Sequence, residues 1–248
     1  MTVKSDDHSA YSVVIVGGGV AGLSAGIFTA RHGLDTLVVD GGDSIMRRNA
    51  HLENYPGFPA GINARLLLEM MGNQADGAGC DRRSTEATAI ETKSDGFTVE
   101  TASDDRYHAE YVVAATKNAT GYLTDVDGVG IVDRGKTYVE TDERGRTGVE
   151  GLYAAGRLAE KPHQAIVAAG HGAEVAVTLL EDDDRPFYHD WVAPEGYFTD
   201  RGRELPPGVE EIDEEERRRR ADASRETLRE YVAEPHPDDQ QTHPSLED

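Results

Sequence analysis

The run Tyr11-Ser-Val-Val-Ile-Val-Gly-Gly-Gly-Val-Ala-Gly22, followed by Thr36-Leu-Val-Val-Asp40, constrains this chain more than any other feature. It reads as strand, glycine turn, helix, strand and acid. The spacing predicts the βαβ unit that cradles the pyrophosphate of a dinucleotide. Gly17 lets the chain turn out of the first strand, Gly19 lets the backbone approach phosphate oxygens, and Gly22 lets the helix pack against the sheet. A helix over Val20–His32, stopped by Gly33, would aim its free N–H groups at the phosphates. Asp40 would accept hydrogen bonds from ribose hydroxyls, and it disfavours a 2′-phosphate there.

The chain has 248 residues, room for one large domain or two small ones. It carries 47 acids against 25 bases, a formal charge of −22, and 20 of the bases are Arg. Such a surface repels nucleic acid and anionic membrane, so neither is expected as a partner. Acid excess with little Lys fits a protein folded in molar salt, where the screening length falls to about 3 Å. The start of the chain is polar and no apolar run could span a bilayer. Cys80 is the single cysteine, so no internal disulfide forms. A cytoplasmic location is expected.

Turn signals at Gly41-Gly42 and Tyr55-Pro56-Gly57-Phe58-Pro59 predict a loop over 41–61. Residues 63–75 read as a helix with Asn63 as N-cap and Leu66, Leu67, Met70 and Met71 on its apolar face. Short strands are predicted at Thr88–Thr92, Phe97–Thr101, Tyr107–His108 and Tyr111–Ala115, then at Thr137–Thr141 and Gly151–Ala155. Residues 117–136 are loop-rich. A small-residue helix is expected over His163–Leu180. Residues 182–248 hold 21 acids and 9 bases and little apolar periodicity, save a charged helix over Glu214–Tyr231. The Arg217–Arg220 run reads as a solvated helix face rather than a phosphate site.

The second strong signal is Gly151-Leu-Tyr-Ala-Ala-Gly-Arg157 with His163-Gln-Ala-Ile-Val-Ala-Ala-Gly-His-Gly172. It is again strand, glycine turn and helix. A helix start at His163 would offer N–H groups to negative charge on a flavin ring. With Glu53-Asn-Tyr-Pro-Gly57, the two motifs resemble the FAD domain of the thioredoxin reductase family. The resemblance covers roughly 11–181. It implies FAD as cofactor, with the ADP half held by Gly17, Gly18, Gly19, Val20, Ala21, Gly22, Asp40 and Gly41. Asn54, Gly156, Arg157, His163, Gln164 and Ala165 would lie near the ribityl chain or flavin.

The chain departs from that family in several places. The family splits its FAD domain around an inserted NAD(P)H domain. Here the first half ends at Val112-Val-Ala-Ala-Thr116, and the next recognisable stretch begins about twenty residues on, too few for a domain. No second GxGxxG and no Cys-x-x-Cys occur. The family's Ala-Thr-Gly is Ala115-Thr116-Lys117, and its Ala-Gly-Asp is Ala155-Gly156-Arg157. The guanidinium of Arg157 would meet pyrophosphate or solvent.

These readings predict a Rossmann-like, doubly wound α/β fold: a parallel sheet, one helical layer and a small β meander, with an acidic C-terminal extension. The domain expectation is an FAD-binding domain over 1–181, in halves 11–116 and 137–181, and an extension over 182–248. The expected function is an FAD-dependent oxidoreductase with flavin as electron relay. Its expected partner is an electron-donor protein or a diffusible reductant, with a homodimer left open. A non-catalytic FAD-binding protein and an NAD-binding dehydrogenase are the alternatives. No residue is assigned a catalytic role. His51, His163 and His171 lack metal-ligand spacing, so no metal is expected. His163 is read as touching the cofactor edge, and Cys80 as an inert small hydrophobe.

Overall fold

The computed structural model describes residues 9–243 and 245. They divide into two units. One holds the described residues up to Asp182 together with 240–243 and 245; the other spans 183–239.

The first unit opens as β1 (Ser9–Val16), α1 (Val20–Arg31) and β2 (Thr36–Val39). Val13, Val14, Ile15, Leu37 and Val38 are all fully buried. Continuous apolar runs of this kind belong to parallel strands covered on both faces. Val14, Val16, Leu37 and Val39 join one cluster with Leu123, Val126 and Leu158. Ile15 and Val38 point the other way, against Gly22 and Gly26 of α1. Next come α2 (Ala64–Gly77), β3 (Asp81–Arg83), β4 (Ala87–Lys93), β5 (Gly96–Thr101) and β6 (Arg106–Ala114). Then follow the hairpin β7 (Ile131–Asp133) and β8 (Thr137–Val139), the strand β9 (Leu152–Ala154) and the helix α3 (Ala165–Asp182).

The sheet order is β3-β2-β1-β6-β5-β4, with β9 also on β6. β3, β2, β1, β6 and β9 run parallel; β6-β5-β4 is an antiparallel meander. This is a mixed α/β architecture with a parallel-rich Rossmann-like sheet. Helix α1 packs against both α2 and α3. The contact with α3 is close because it uses small residues. A Cβ on Gly172 would lie 2.0 Å from the Ala21 carbonyl oxygen, nearer than van der Waals contact allows.

Several expected boundaries shift. Tyr107–His108 and Tyr111–Ala115 are one strand, β6. Its first half pairs β5 and alternates in burial, while its second half lies between β1 and β9 and is buried throughout. The sequence pattern changes mid-strand because the surroundings do. In α2 the Asn63 side chain caps Arg65 and Leu66 N–H groups as expected. The buried face, however, is Leu67, Leu68 and Met71, with Leu66 and Met70 half-buried. The 41–61 loop contains a 3-10 turn at Ile45–Arg48, and β3 had no sequence signal. Helix α3 begins at Ala165, two residues later than expected. The Gln164 carbonyl accepts the Ala168 N–H, which makes Gln164 the cap.

The second unit has β10 (Trp191–Pro194) and β11 (Val209–Ile212) paired in parallel over Ala193, Phe198 and Val209. No local sequence pattern announces this pair. Glu211 accepts from the Thr199 hydroxyl and from the backbone N–H groups of Phe198, Thr199 and Gly196. Those bonds hold its carboxyl down to about 2. Helix α4 (Glu214–Ala233) has no buried residue and is capped by Asp213. In it Arg217 and Arg218 pair with Glu214, and Arg220 with Glu216 and Glu210, as a solvated face requires.

Candidate functional site

Four parallel strands end side by side, in the order β2, β1, β6, β9. Their C-terminal ends carry Asp40, the Gly17–Gly19 turn, Ala115–Lys117 and Gly156-Arg157 respectively. Ligands of open parallel sheets bind along this edge. Here it opens into a cavity of about 1040 Å³, at the upper end of small-molecule sites and suited to a long ligand.

The glycine turn is built for close approach. Gly17 has φ +112° and donates its N–H to the Val39 carbonyl at 2.8 Å. A Cβ there would meet the Ala115 carbonyl oxygen at 2.7 Å, so only glycine fits between β1 and β6. Asp40 lies against Gly18 and accepts the Gly42 N–H at 3.0 Å through one oxygen, leaving the other carboxylate oxygen for a ribose. The positive end of α1 begins at Val20, beside Gly19.

At the far end, the Asn54 amide donates to the Gln164 side-chain oxygen at 2.8 Å, tying the 41–61 loop to the start of α3. Arg157 donates to the Tyr138 hydroxyl at 2.6 Å and to the Lys161 carbonyl at 3.1 Å, with its guanidinium over the Tyr138 ring. It therefore faces neither pyrophosphate alone nor open solvent, but is braced on β8. His163 is exposed; partial burial, then the charges of Lys117, Arg157 and Lys136, hold its pKa below the usual histidine value. Gln164 already donates its N–H to Pro162, so Ala165 opens the run of first-turn N–H groups on α3.

Of the residues expected at the site, Gly17, Gly18, Gly19, Val20, Ala21, Asp40, Gly41, Asn54, Arg157, His163, Gln164 and Ala165 line this cavity. Gly22 and Gly156 do not. They stand behind its wall: Gly22 closes against the Gly17 carbonyl and Gly156 against Ala21. Sequence reading missed Ser44, Met46, Arg48, Glu86, Lys117, Asn118 and Gln240 on the wall. Lys117 was noted as a departure from Ala-Thr-Gly but not as a site residue, and its φ of +64° is the mark of a built position. Among the described residues no group of three metal ligands occurs, and no helix is long and apolar enough to cross a membrane.

The cradle fits FAD: a turn that a Cβ would block, an acid one strand away, a helix N-terminus at each end, and a long cavity between them. Residues 12–51 match the family model for FAD binding domains, and residues 69–172 that for pyridine nucleotide-disulphide oxidoreductases. The chain is 32% identical over 114 residues to the thioredoxin reductase of Rickettsia felis, covering 45% of this chain and 37% of that protein. It is 31% identical over 125 residues to the bifunctional thioredoxin reductase/thioredoxin of Mycobacterium leprae, covering 49% and 27%. The chain thus spans roughly a third of the length of these curated relatives. The solved thioredoxin reductase of Gloeobacter violaceus superposes with a TM-score of 0.67 at 18% identity, over 75% of this chain and 100% of that one. The enzyme from T. acidophilum gives 0.58 at 20%, over 71% and 99%. At such identities these structures speak for the fold. FAD is the cofactor to which the geometry of the cradle and the matching FAD-binding family model both point. Over these stretches the chain is similar to thioredoxin reductases and to the FAD-dependent pyridine nucleotide-disulphide oxidoreductases.

Proposed function

We propose that this chain is an FAD-dependent oxidoreductase that relays electrons through bound flavin without a nicotinamide domain or a redox cysteine pair of its own. One observation carries the reading. The two glycine motifs, some 135 residues apart in sequence, converge on one cavity with Asp40 at one end and the start of α3 at the other. The flavin supplies two-electron and one-electron chemistry when bound. The chain's own residues hold and orient. Asp40 accepts ribose hydroxyls, the Gly17–Gly19 turn and α1 receive the phosphates, and the first turn of α3 favours negative charge.

The relay's other end follows from what the sequence contains. The single thiol, Cys80, is buried at the back of α1 beside Gly26. An internal disulfide relay needs two thiols. Electrons would therefore leave the flavin without an internal disulfide, and with no nicotinamide domain of its own the chain would be loaded by a partner protein or a diffusing reductant. The charge of −22 supports folding in a salt-rich cytoplasm, and a homodimer fits the same reading.

The test is anaerobic titration of the purified protein in molar KCl. Stoichiometric FAD, reducible by dithionite, with no disulfide turnover on NADH or NADPH, is the expected result. Turnover on either nicotinamide, on the order of 1 per second or faster, refutes the missing-donor reading. A folded protein that takes up no FAD refutes the cofactor assignment.

A further inference from the structure

Charge is unevenly spread along the cavity. Asp40, Asp43 and Glu86 line it near the end of β2. Arg48, Lys117 and Arg157 line it on the side of β6 and β9, and Lys136 stands close by. Many arginines elsewhere in this acidic protein meet carboxylates, among them Arg82 with Asp76, Arg106 with Glu100, Arg134 with Glu160, Arg144 with Glu181 and Arg146 with Asp182. Among the described residues, Arg48, Lys117, Lys136 and Arg157 have no such ion pair. Leaving like charges together and unpaired is costly, and the cost shows. Partial burial, then the charges of Arg48, Lys136 and Arg157, hold the Lys117 ammonium below the ordinary lysine range. The backbone at Lys117 is also strained, at φ +64°, where glycine would sit without penalty.

The strand order places these cations beyond the phosphate turn. Adjacent strands lie about 4.8 Å apart. Lys117 follows β6, one strand past the Gly17–Gly19 turn, and Arg157 follows β9, two strands past it, away from Asp40. A dinucleotide with its ribose at Asp40 and its diphosphate at Gly17–Gly19 leaves three formal positive charges on its far side. Resting on the FAD reading above, we propose that Arg48, Lys117 and Arg157 form an anion subsite that seats a small phosphate- or carboxylate-bearing substrate beside the flavin. His163, on the same wall, closes the subsite towards α3.

The experiment titrates the FAD-loaded full chain with inorganic phosphate at fixed KCl, by calorimetry and by the flavin spectrum. One phosphate per chain is expected, with a spectral shift and FAD retained. Lys117→Gly should fold normally, since its φ suits glycine, and should weaken phosphate at least about ten-fold. Lys117→Arg should restore it, and Arg157→Gln should weaken it with FAD content unchanged. Absence of phosphate uptake by the FAD-loaded protein, or uptake undiminished in Lys117→Gly, overturns the subsite. Loss of FAD from Lys117→Gly and Arg157→Gln also overturns it, because the cations would then serve the cofactor's own diphosphate. If the protein takes up no FAD, the cofactor reading fails separately. The phosphate titration of the FAD-free chain and of Lys117→Gly then decides the subsite on its own.

Discussion

The Nδ1 atom of His171 accepts the backbone N–H of Gly156 at 2.9 Å. His171 is on α3 and only 4% exposed; Gly156 opens the turn that carries Arg157. The bond pins the second glycine motif to its own helix. It also fixes the proton on Nε2, which has no hydrogen-bond partner among the described residues.

Burial pushes the His171 imidazole down to about 4. The folded state therefore resists protonation while the unfolded chain, near 6.5, accepts it. The stability contribution is intact above pH 6.5 and is lost as pH falls from 6.5 through 4, reaching about 3 kcal/mol. Chemical denaturation across that range should show the slope. His171→Asn keeps an acceptor for Gly156 and cannot titrate, so it should flatten the slope. An unchanged slope in His171→Asn would remove His171 as its source.

Gly19 and Gly22 separate binding from folding. A Cβ at Gly19 meets nothing nearer than Ser44 Oγ, at 3.6 Å, yet Gly19 lines the cavity. Gly19→Ala should change stability by less than about 1 kcal/mol and weaken FAD at least about ten-fold. A Cβ at Gly22 would fall 1.8 Å from the Gly17 carbonyl oxygen. Gly22→Ala should cost about 3 kcal/mol or more in thermal or urea melts. Equal melting losses for the two variants would contradict this division.

What could be read from sequence follows from range. The Gly17–Gly22 turn, Asp40, the Asn63 cap and the meander strands are local patterns with local causes, and the folded chain keeps them. The start of α3 was misjudged because Pro162 accepts the Gln164 N–H and delays the helix, a bond no periodicity announces. Gly156 and Gly22 were expected at the ligand but serve the wall behind it, since glycine marks close packing as well as phosphate contact. Arg48 and Glu86 reach the cavity only through tertiary placement. The pair β10 and β11 was missed because four-residue strands in a charged segment carry almost no alternation.

Cys80 should be silent. It is buried beside Gly26, and burial, with Asp76 adding to it, pushes its thiol up to about 12. The thiolate is the reactive form, and almost none exists at neutral pH. A thiol reagent should label the native protein at the rate of global unfolding and label it at once in denaturant. Cys80→Ala should leave flavin reduction unchanged. Rapid labelling of the native protein would mean that Cys80 is reachable and would reopen a thiol role.

The last described residues return to the cofactor cavity. Gln241 donates its N–H to the Arg47 carbonyl at 3.0 Å, and Gln240 lines the cavity near the turn at Ile45–Arg48. A chain stopped after Asp239 loses both contacts and leaves both glycine motifs intact. Its core should be untouched, because Gln240 and Gln241 are exposed and belong to no buried cluster. The expected phenotype is kinetic: FAD dissociates several-fold faster, since one net hydrogen bond is worth about 1 kcal/mol, while the melting temperature of the FAD-free protein stays the same. Stopped-flow dilution of the FAD-loaded protein, followed by the recovery of free-flavin fluorescence, measures the first quantity and calorimetry the second. An unchanged release rate would show that residues 240–243 merely rest at the rim. A lowered melting temperature without cofactor would assign them to the fold instead of to the site.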